Sequence, residues 1–505
     1  MTARWWSRLT TFLTLAAFSR LIAPTVADPD LWGHIRFGQR TLSLGLERED
    51  PFSYLSAGHA WINHEILSEA TFGLLFDTGG ATALIILKTC VALLTVVLIY
   101  RHLLRRGADA VRASLLLLPA GFLMIPGFAT VRPQMFTYLF FALAVLTLHK
   151  AETSSEKWLW TLPPLLAVWI NFHGGVLAGV GILGVWGIAK VISILANRDQ
   201  GSIIRRLTVP VAVGVCCGLA LLLNPYGARL PIFLLETAAV PRPDIVEWQP
   251  LRLLSVPGAI YSAIVAFSII TMARSTEPRN PALAAVFVAV CVLPLTAVRH
   301  LQLFGIAVPL LLADDFASVW RRTTEPPQAK PGERALVIAV TGLAGVLLIG
   351  TGLRESRCIE IDTGRSIGFP VRAVDWLRAS GVRANVATYF DWGEYVLWHL
   401  SPNVRISMDG RRETVYPDSI HQEYLRFQSG LAGWRGLLDR EQTDLVLFPN
   451  WWPAYQLVDL DPGWDRVYDD SLGAVFARAG SRLAERLRAT PIPSTPVDGH
   501  GQCVP

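Results

Sequence analysis

The chain has 505 residues, 52% of them hydrophobic and only 17% charged, with a mean hydropathy of +0.40. An ordinary soluble domain carries about 25% charged residues, so this composition excludes a purely soluble enzyme. A net charge of +5 is too small to suggest a nucleic-acid partner, and 17 tryptophans suit membrane interfaces.

Spanning a bilayer as a helix takes about 20 apolar residues. In chain order, apolar segments lie near 9–26, 81–100, 113–130, 134–149, 158–171, 174–196, 207–223, 256–273, 281–298, 301–319 and 335–352. They predict about eleven transmembrane helices. The first segment follows Arg4 and Arg8 as a signal peptide would. So many spans follow that a retained first helix is the simpler reading. With those two arginines inside, loops 101–112, 150–157, 197–206, 274–280 and 320–334 face the cytoplasm. Each holds at least two basic residues, as positive-inside orientation requires.

The opposite face receives loop 27–80, "TVRPQ" (130–134), "NFHGG" (171–175), segment 224–250, "VRHLQ" (298–302) and the chain after about 353. The predicted organisation is a transmembrane domain over 1–353 with its first outer loop at 27–80. An extracytoplasmic α/β domain follows at 354–480, and a Pro-rich disordered tail at 481–505. In the α/β domain "FPVRAVDWLRAS" has helical spacing. "ANVATYF", "NVRISMDG", "TDLVLFPN" and "GAVFARA" read as strands. Cys358 and Cys503 could pair, although their spacing is not diagnostic.

Loop 27–80 opens with "DPDLWGH". Asp28 and Asp30 face one way if the segment is extended. Such a pair could bind a divalent cation or supply a base, and it could equally be a solvated helix cap. His34 follows, and Asp50, His64, Glu65 and Glu69 lie in the same loop. "WINHEILSEATFGLL" reads as an amphipathic interfacial helix with Glu65 and Glu69 on one stripe. Arg132 and Arg299, between apolar runs, need partners. Either could neutralise a phosphate or pair with an acid. Asn171, His173 and His300 lie at span ends, and Trp248 offers an aromatic face for a sugar ring. The bland alternative for each is loop or core architecture. Asp409-Gly410-Arg411 reads as a turn. There is no P-loop, GxSxG or HExxH motif.

Taken together, "DPDLWGHIRFGQ", "EDPFSY", "WINHEILSE", "VRPQ", "NFHGG", "NPYG" and "MDGR" resemble a group of bacterial membrane proteins with GT-C-like organisation. The layout is similar to the GT-C superfamily, polytopic glycosyltransferases that use lipid-phosphate sugar donors, such as protein O-mannosyltransferases and aminoarabinose transferases. The likeness runs from about residue 27 to 478. It implies a bacterial inner-membrane enzyme with an extracytoplasmic active face. A sugar would pass from a polyprenyl phosphate, held among membrane lipids, to a glycan, lipid or protein acceptor. Asp28 or Asp30 would be the base, with Asp50 or Glu65 as substitutes. Arg132 and Arg299 would hold the phosphate. His34, His64, Asn171, His173, Trp248 and His300 would line the substrate site. The resemblance commits to no metal or other cofactor, though a divalent cation fits the acidic loop. The rival readings are a transporter or flippase of lipid-linked substrates, which would need mid-span polar groups, and a non-catalytic membrane scaffold.

Overall fold

The computed structural model describes residues 2–197, 202–242, 245–320, 331–355, 357–362, 368–440, 442–492 and 502–504. Arg198, Arg321, Arg322 and Lys330 of the expected cytoplasmic loops lie outside these residues. So does the 493–501 stretch of the expected disordered tail. The chain divides into two compact units. One comprises Met1–Thr25 and Ile85–Arg357, and the other Val26–Leu84 and Cys358–Pro505.

The first unit is helical. Each of the eleven apolar segments falls on helix, but fewer than eleven of the described helices are long and apolar enough to cross a bilayer by themselves. Among the described residues seven helices are long and apolar enough to cross a bilayer, or eight if the pair Val298–Leu311 and Ala313–Val319, bent by 54°, is one span. The remaining segments fail for plain reasons. Helix α1 (Thr2–Ile22) carries Arg4, Arg8 and Arg20. Leu162–Phe172 has 11 residues and Pro281–Thr296 has 16. The chain is a multi-pass membrane protein.

α1 ends against a fully buried lysine. Lys88 Nζ donates to the carbonyls of Ile22 and Pro24, each at 2.8 Å, and to Thr25 Oγ1 at 2.7 Å. The last carbonyls of a helix lack internal partners, and the Lys88 side chain supplies one to Ile22.

The second unit joins loop residues to C-terminal ones. Its main sheet has five strands: β2 (Ala384–Thr388), β3 (Val404–Ile406), β4 (Leu445–Pro449), β5 (Trp464–Asp469) and β6 (Gly473–Arg478). Their order is β3-β2-β4-β6-β5. β2 runs parallel to β3 and β4, whereas β6 is antiparallel to β4 and β5. Every residue of β4 is buried, as its unbroken apolar run requires of a central strand. The four expected strands are present, and β5 is additional. A second, two-stranded sheet pairs β1 (Glu360–Ile361) with β7 (Gln502–Cys503), and a disulfide joins Cys358 to Cys503. The expected tail is therefore partly ordered: Arg482–Arg488 is helical and β7 is paired.

Loop 27–80 was expected to go with the transmembrane domain, but it is built into this unit. β3 is an edge strand whose free backbone groups invite another strand. Loop residues take that place. Tyr54 N donates to Ile406 O at 3.1 Å, and Ile406 N to Phe52 O at 3.2 Å. Ser53 Oγ donates to Ser407 O at 3.0 Å.

Helix α2 (Leu31–Leu44) buries Leu31, Trp32, His34, Ile35 and Phe37. Trp32 packs edge-on against Tyr395 and Phe369. Helix α3 (Ile66–Arg105) starts at Ile66, not at Trp61, and is broken at Gly80, whose φ of +60° suits glycine. Trp61 and Ile62 thus belong to no interfacial helix. Asn63 Oδ1 accepts the Glu65 N–H at 2.9 Å and sets the turn that precedes the helix.

Helices α2 and α3 touch through glycines. A Cβ at Gly38 would collide with the Glu69 carbonyl, and one at Gly73 would stand 2.6 Å from Gln39 N. Gly38→Ala is expected to destabilise this unit by about 1–3 kcal/mol, the usual cost of overpacking. A lowered midpoint in tryptophan-monitored denaturation checks it.

Candidate active site

The acidic residues of loop 27–80 and the C-terminal residues of the second unit form one cluster. Asp28 and Asp30 are not parallel. The segment is a turn into α2, and Asp28 Oδ1 accepts the Asp30 N–H at 3.0 Å. Asp28 is buried and serves that turn, whereas Asp30 is partly exposed. The extended geometry expected of this pair is therefore absent. Asp30 has a helical backbone, because its carbonyl already accepts the His34 N–H of the first α2 turn.

Glu394 sits beside Asp30 and is buried. Its Oε2 accepts the Gly33 N–H at 3.0 Å. A Cβ at Gly33 would collide with Oε2. A Cβ at Gly410 would collide with Asp30 Oδ1 and stand 3.1 Å from Glu394 Oε1. The two carboxyl groups thus close on the same Gly410 Cα, and only glycine leaves them room.

Burial, then the charges of Asp30 and Asp409, push the Glu394 carboxyl well above the ordinary 4.5. An acid that holds its proton only when folded makes the folded state bind more protons above pH about 4.5, so stability falls as pH rises. Glu394→Gln removes that slope. Unfolding midpoints measured from about pH 5 to 8 are expected to be flatter in the variant than in the parent.

Asp50 is occupied structurally. Its carboxylate accepts the N–H groups of Phe52 and Ser53, the Ser56 hydroxyl, and Arg411 Nη1 at 2.8 Å. Arg411 also grips Asp409, through Nη2 at 2.7 Å and Nε at 3.0 Å. Its guanidinium lies 4.9 Å from the Phe37 ring, 5.0 Å from Trp61 and 5.2 Å from Phe52. Burial opposes its charge, but Asp409 and Asp50 outweigh that and hold Arg411 firmly protonated.

His34 lies one turn into α2. Its Nδ1 is 3.3 Å from Glu69 Oε1 and 3.7 Å from Glu65 Oε2. Burial alone would strip the ring of its proton. The Glu69 hydrogen bond and the charges of Glu65, Glu69 and Asp30 prevail and raise its pKa to about 9. Asn63 Nδ2 donates to Glu69 Oε2, and His64 Nε2 is 3.5 Å from Glu65 Oε1.

The remaining candidates belong to the first unit. Arg132 and Arg299 converge on Glu247, with guanidinium nitrogens 4.0 Å and 3.4 Å from its carboxylate oxygens. Trp248, expected to stack on a sugar, has the guanidinium groups of Arg242 and Arg299 over its ring at 4.1 Å and 4.5 Å. Adjacent arginines supply a cation–π partner where a sugar was anticipated. Asn171 Nδ2 donates to the carbonyls of Ala167 and Leu223, each at 2.8 Å. His300 Nδ1 donates to Leu293 O at 2.9 Å, tying down the end of helix Pro281–Thr296. His173 Nδ1 accepts from Gly175 N and from the Thr137 hydroxyl, each at 2.9 Å, which fixes the proton on Nε2.

Neither a protein-family model nor a curated protein sequence matches the chain. Solved structures do. ArnT from Cupriavidus metallidurans bound to undecaprenyl phosphate superposes with a TM-score of 0.54 at 14% identity, over 95% of this chain and 99% of that one. The fold is GT-C-like. The Archaeoglobus fulgidus oligosaccharyltransferase in its apo form matches with a TM-score of 0.53 at 11% identity, over 88% of this chain and 70% of its own. AglB from the same organism, in complex with an inhibitory peptide and a dolichol-phosphate, gives 0.54 at 12%, over 88% and 69%. Glu394, Asp409 and Arg411 join the candidate cluster although the sequence reading gave them no site role, taking Asp409-Gly410-Arg411 for a turn. The available signal was the adjacency of acid and glycine in "WGE" and "MDGR".

Proposed function

We propose that the protein is a glycosyltransferase of the bacterial plasma membrane, taking a sugar from a polyprenyl-phosphate donor to an extracytoplasmic glycan, lipid or protein. The observation that carries this reading is Asp30. It is a partly exposed carboxylate at the start of α2, backed by the buried Glu394, whose carboxyl is pushed well above its ordinary range by burial and by the Asp30 charge. Paired carboxyl groups in unlike surroundings can divide acid and base roles between them. Two further facts support the reading. ArnT, with a similar fold, was crystallised with undecaprenyl phosphate. The Cys358–Cys503 disulfide suits an oxidising compartment outside the cytoplasm.

In the reaction, Asp30 takes the proton of the acceptor hydroxyl as its oxygen bonds to the sugar's anomeric carbon. The bond from that carbon to the phosphate oxygen breaks, and the polyprenyl phosphate leaves with the electron pair. In the first unit, Arg132 and Arg299, which converge on Glu247, are by themselves the candidate phosphate-binding groups. Guanidinium groups bind phosphate oxygens with strong, directional hydrogen bonds.

The test is mass spectrometry of lipid-linked sugars and surface glycans in cells with and without the protein. Loss of one glycan together with accumulation of one polyprenyl-phosphate sugar is expected. Identical profiles in both strains, repeated with purified protein and polyprenyl-phosphate sugars, would sink the reading.

A further inference from the structure

The second unit contains a preformed donor set that the proposed transfer step does not use. His34 Nδ1, Glu65 and Glu69 each offer one ligand atom, and the three atoms lie within 4.8 Å of one another. They come from two separate pieces of chain: α2 supplies the imidazole, while the turn before α3 and its first turn supply the carboxylates. The edges from His34 Nδ1 are 3.3 Å and 3.7 Å. Bonds of about 2.1 Å to a tetrahedral ion give ligand–ligand edges of about 3.4 Å.

The set is not a patch of solvated acids. His34 is 8% exposed and Glu69 3%. Two carboxylates converge on one imidazole nitrogen, with the carboxylate of Asp30 a single helical turn earlier. Asn63 lies outside the donor set yet orients the Glu69 carboxylate and fixes the backbone at Glu65. It donates to the far oxygen of Glu69 and accepts the Glu65 N–H. Such outer partners aim ligands at a metal.

We infer that His34, Glu65 and Glu69 form a binding site for one divalent transition-metal ion, held by one imidazole nitrogen and two carboxylate oxygens with a fourth position open. Mixed nitrogen and oxygen donors in a three-ligand set suit zinc-class ions better than magnesium or calcium. The ion clamps the start of α3 to α2 one turn from Asp30. The inference does not rest on the transferase reading, and its failure leaves that reading standing.

The experiment titrates Zn²⁺ into EDTA-stripped, full-length protein in detergent by calorimetry, with no sugar donor present. One tightly bound ion per chain is expected. Asn63→Ala should weaken binding about 10–100-fold, the usual effect of an outer partner, and His34→Gln or Glu69→Gln should weaken it more. Asp77→Asn, at an exposed acid elsewhere in the same unit, should leave binding unchanged. Should the ligand variants fail to fold, zinc-edge X-ray absorption of the parent protein decides. A nitrogen and oxygen shell containing one imidazole supports the site. No stoichiometric binding, binding indifferent to His34 and Glu69, or a sulfur-containing shell overturns it; in the first case the pocket is a protonated imidazole bridging two carboxylates.

Discussion

Arg411→Met is expected to destabilise the unit of loop and C-terminal residues by about 3–5 kcal/mol, the range for deleting one partner of a buried ion pair. The change strands two carboxylates, because Arg411 Nη1 is 2.8 Å from Asp50 and Nη2 is 2.7 Å from Asp409. Both carboxylates are fully buried at the side chain. Lysine is a poor rescue: an ammonium group lacks the planar fork that reaches both acids and lies against three aromatic rings. Arg440→Met is the contrast. Its pair with Glu423 is exposed on the arginine side, and exposed pairs contribute about 1 kcal/mol at most. Thermal melts followed by tryptophan fluorescence should separate the two variants clearly, and equal midpoints would refute the buried-pair account.

The second large effect concerns chemistry. On the transferase reading, Asp30→Asn should lower the turnover number by about 10²–10⁴, the usual contribution of a general base, with an unchanged melting temperature. Asp28→Asn should leave both turn and turnover nearly unchanged, because Asp28 Oδ1 accepts the Asp30 N–H and an asparagine oxygen can do the same. Asp50→Asn should resemble Arg411→Met, losing stability before activity. Transfer of a radiolabelled sugar from a polyprenyl phosphate, with kcat and KM measured separately, distinguishes the three. A fully active Asp30→Asn protein would remove Asp30 from the role of base.

The sequence foretold these outcomes unevenly, for physical reasons. Spans and strands are periodic or apolar over many residues, so helices such as Gln134–Thr153 and strands such as Leu445–Pro449 were readable. The span count was not, because apolarity alone does not reveal where a helix stops: Leu162–Phe172 ends at His173 after 11 residues. Asp50 looked like a spare base in a polar loop. Its role as a buried counter-ion depends on Arg411, which is distant in sequence and looked like part of a surface turn. Glu394 was hidden for the same reason. Its partners, Gly33 and the Asp30–Gly410 junction, are brought to it by tertiary structure. Trp248 was expected to face a sugar, and its ring lies under the guanidinium groups of Arg242 and Arg299, of which Arg299 is distant from it in sequence.

The pairing of residues 52–54 with Ile406 has a consequence for biogenesis. Domains generally fold during synthesis in order from the N-terminus, yet this one cannot. Its opening segment leaves the ribosome long before the strand that completes it, and every intervening helix must be inserted first. Until translation nears its end, Asp30 has no Glu394 and Asp50 has no Arg411. A nascent or prematurely terminated chain therefore lacks both of these buried pairings.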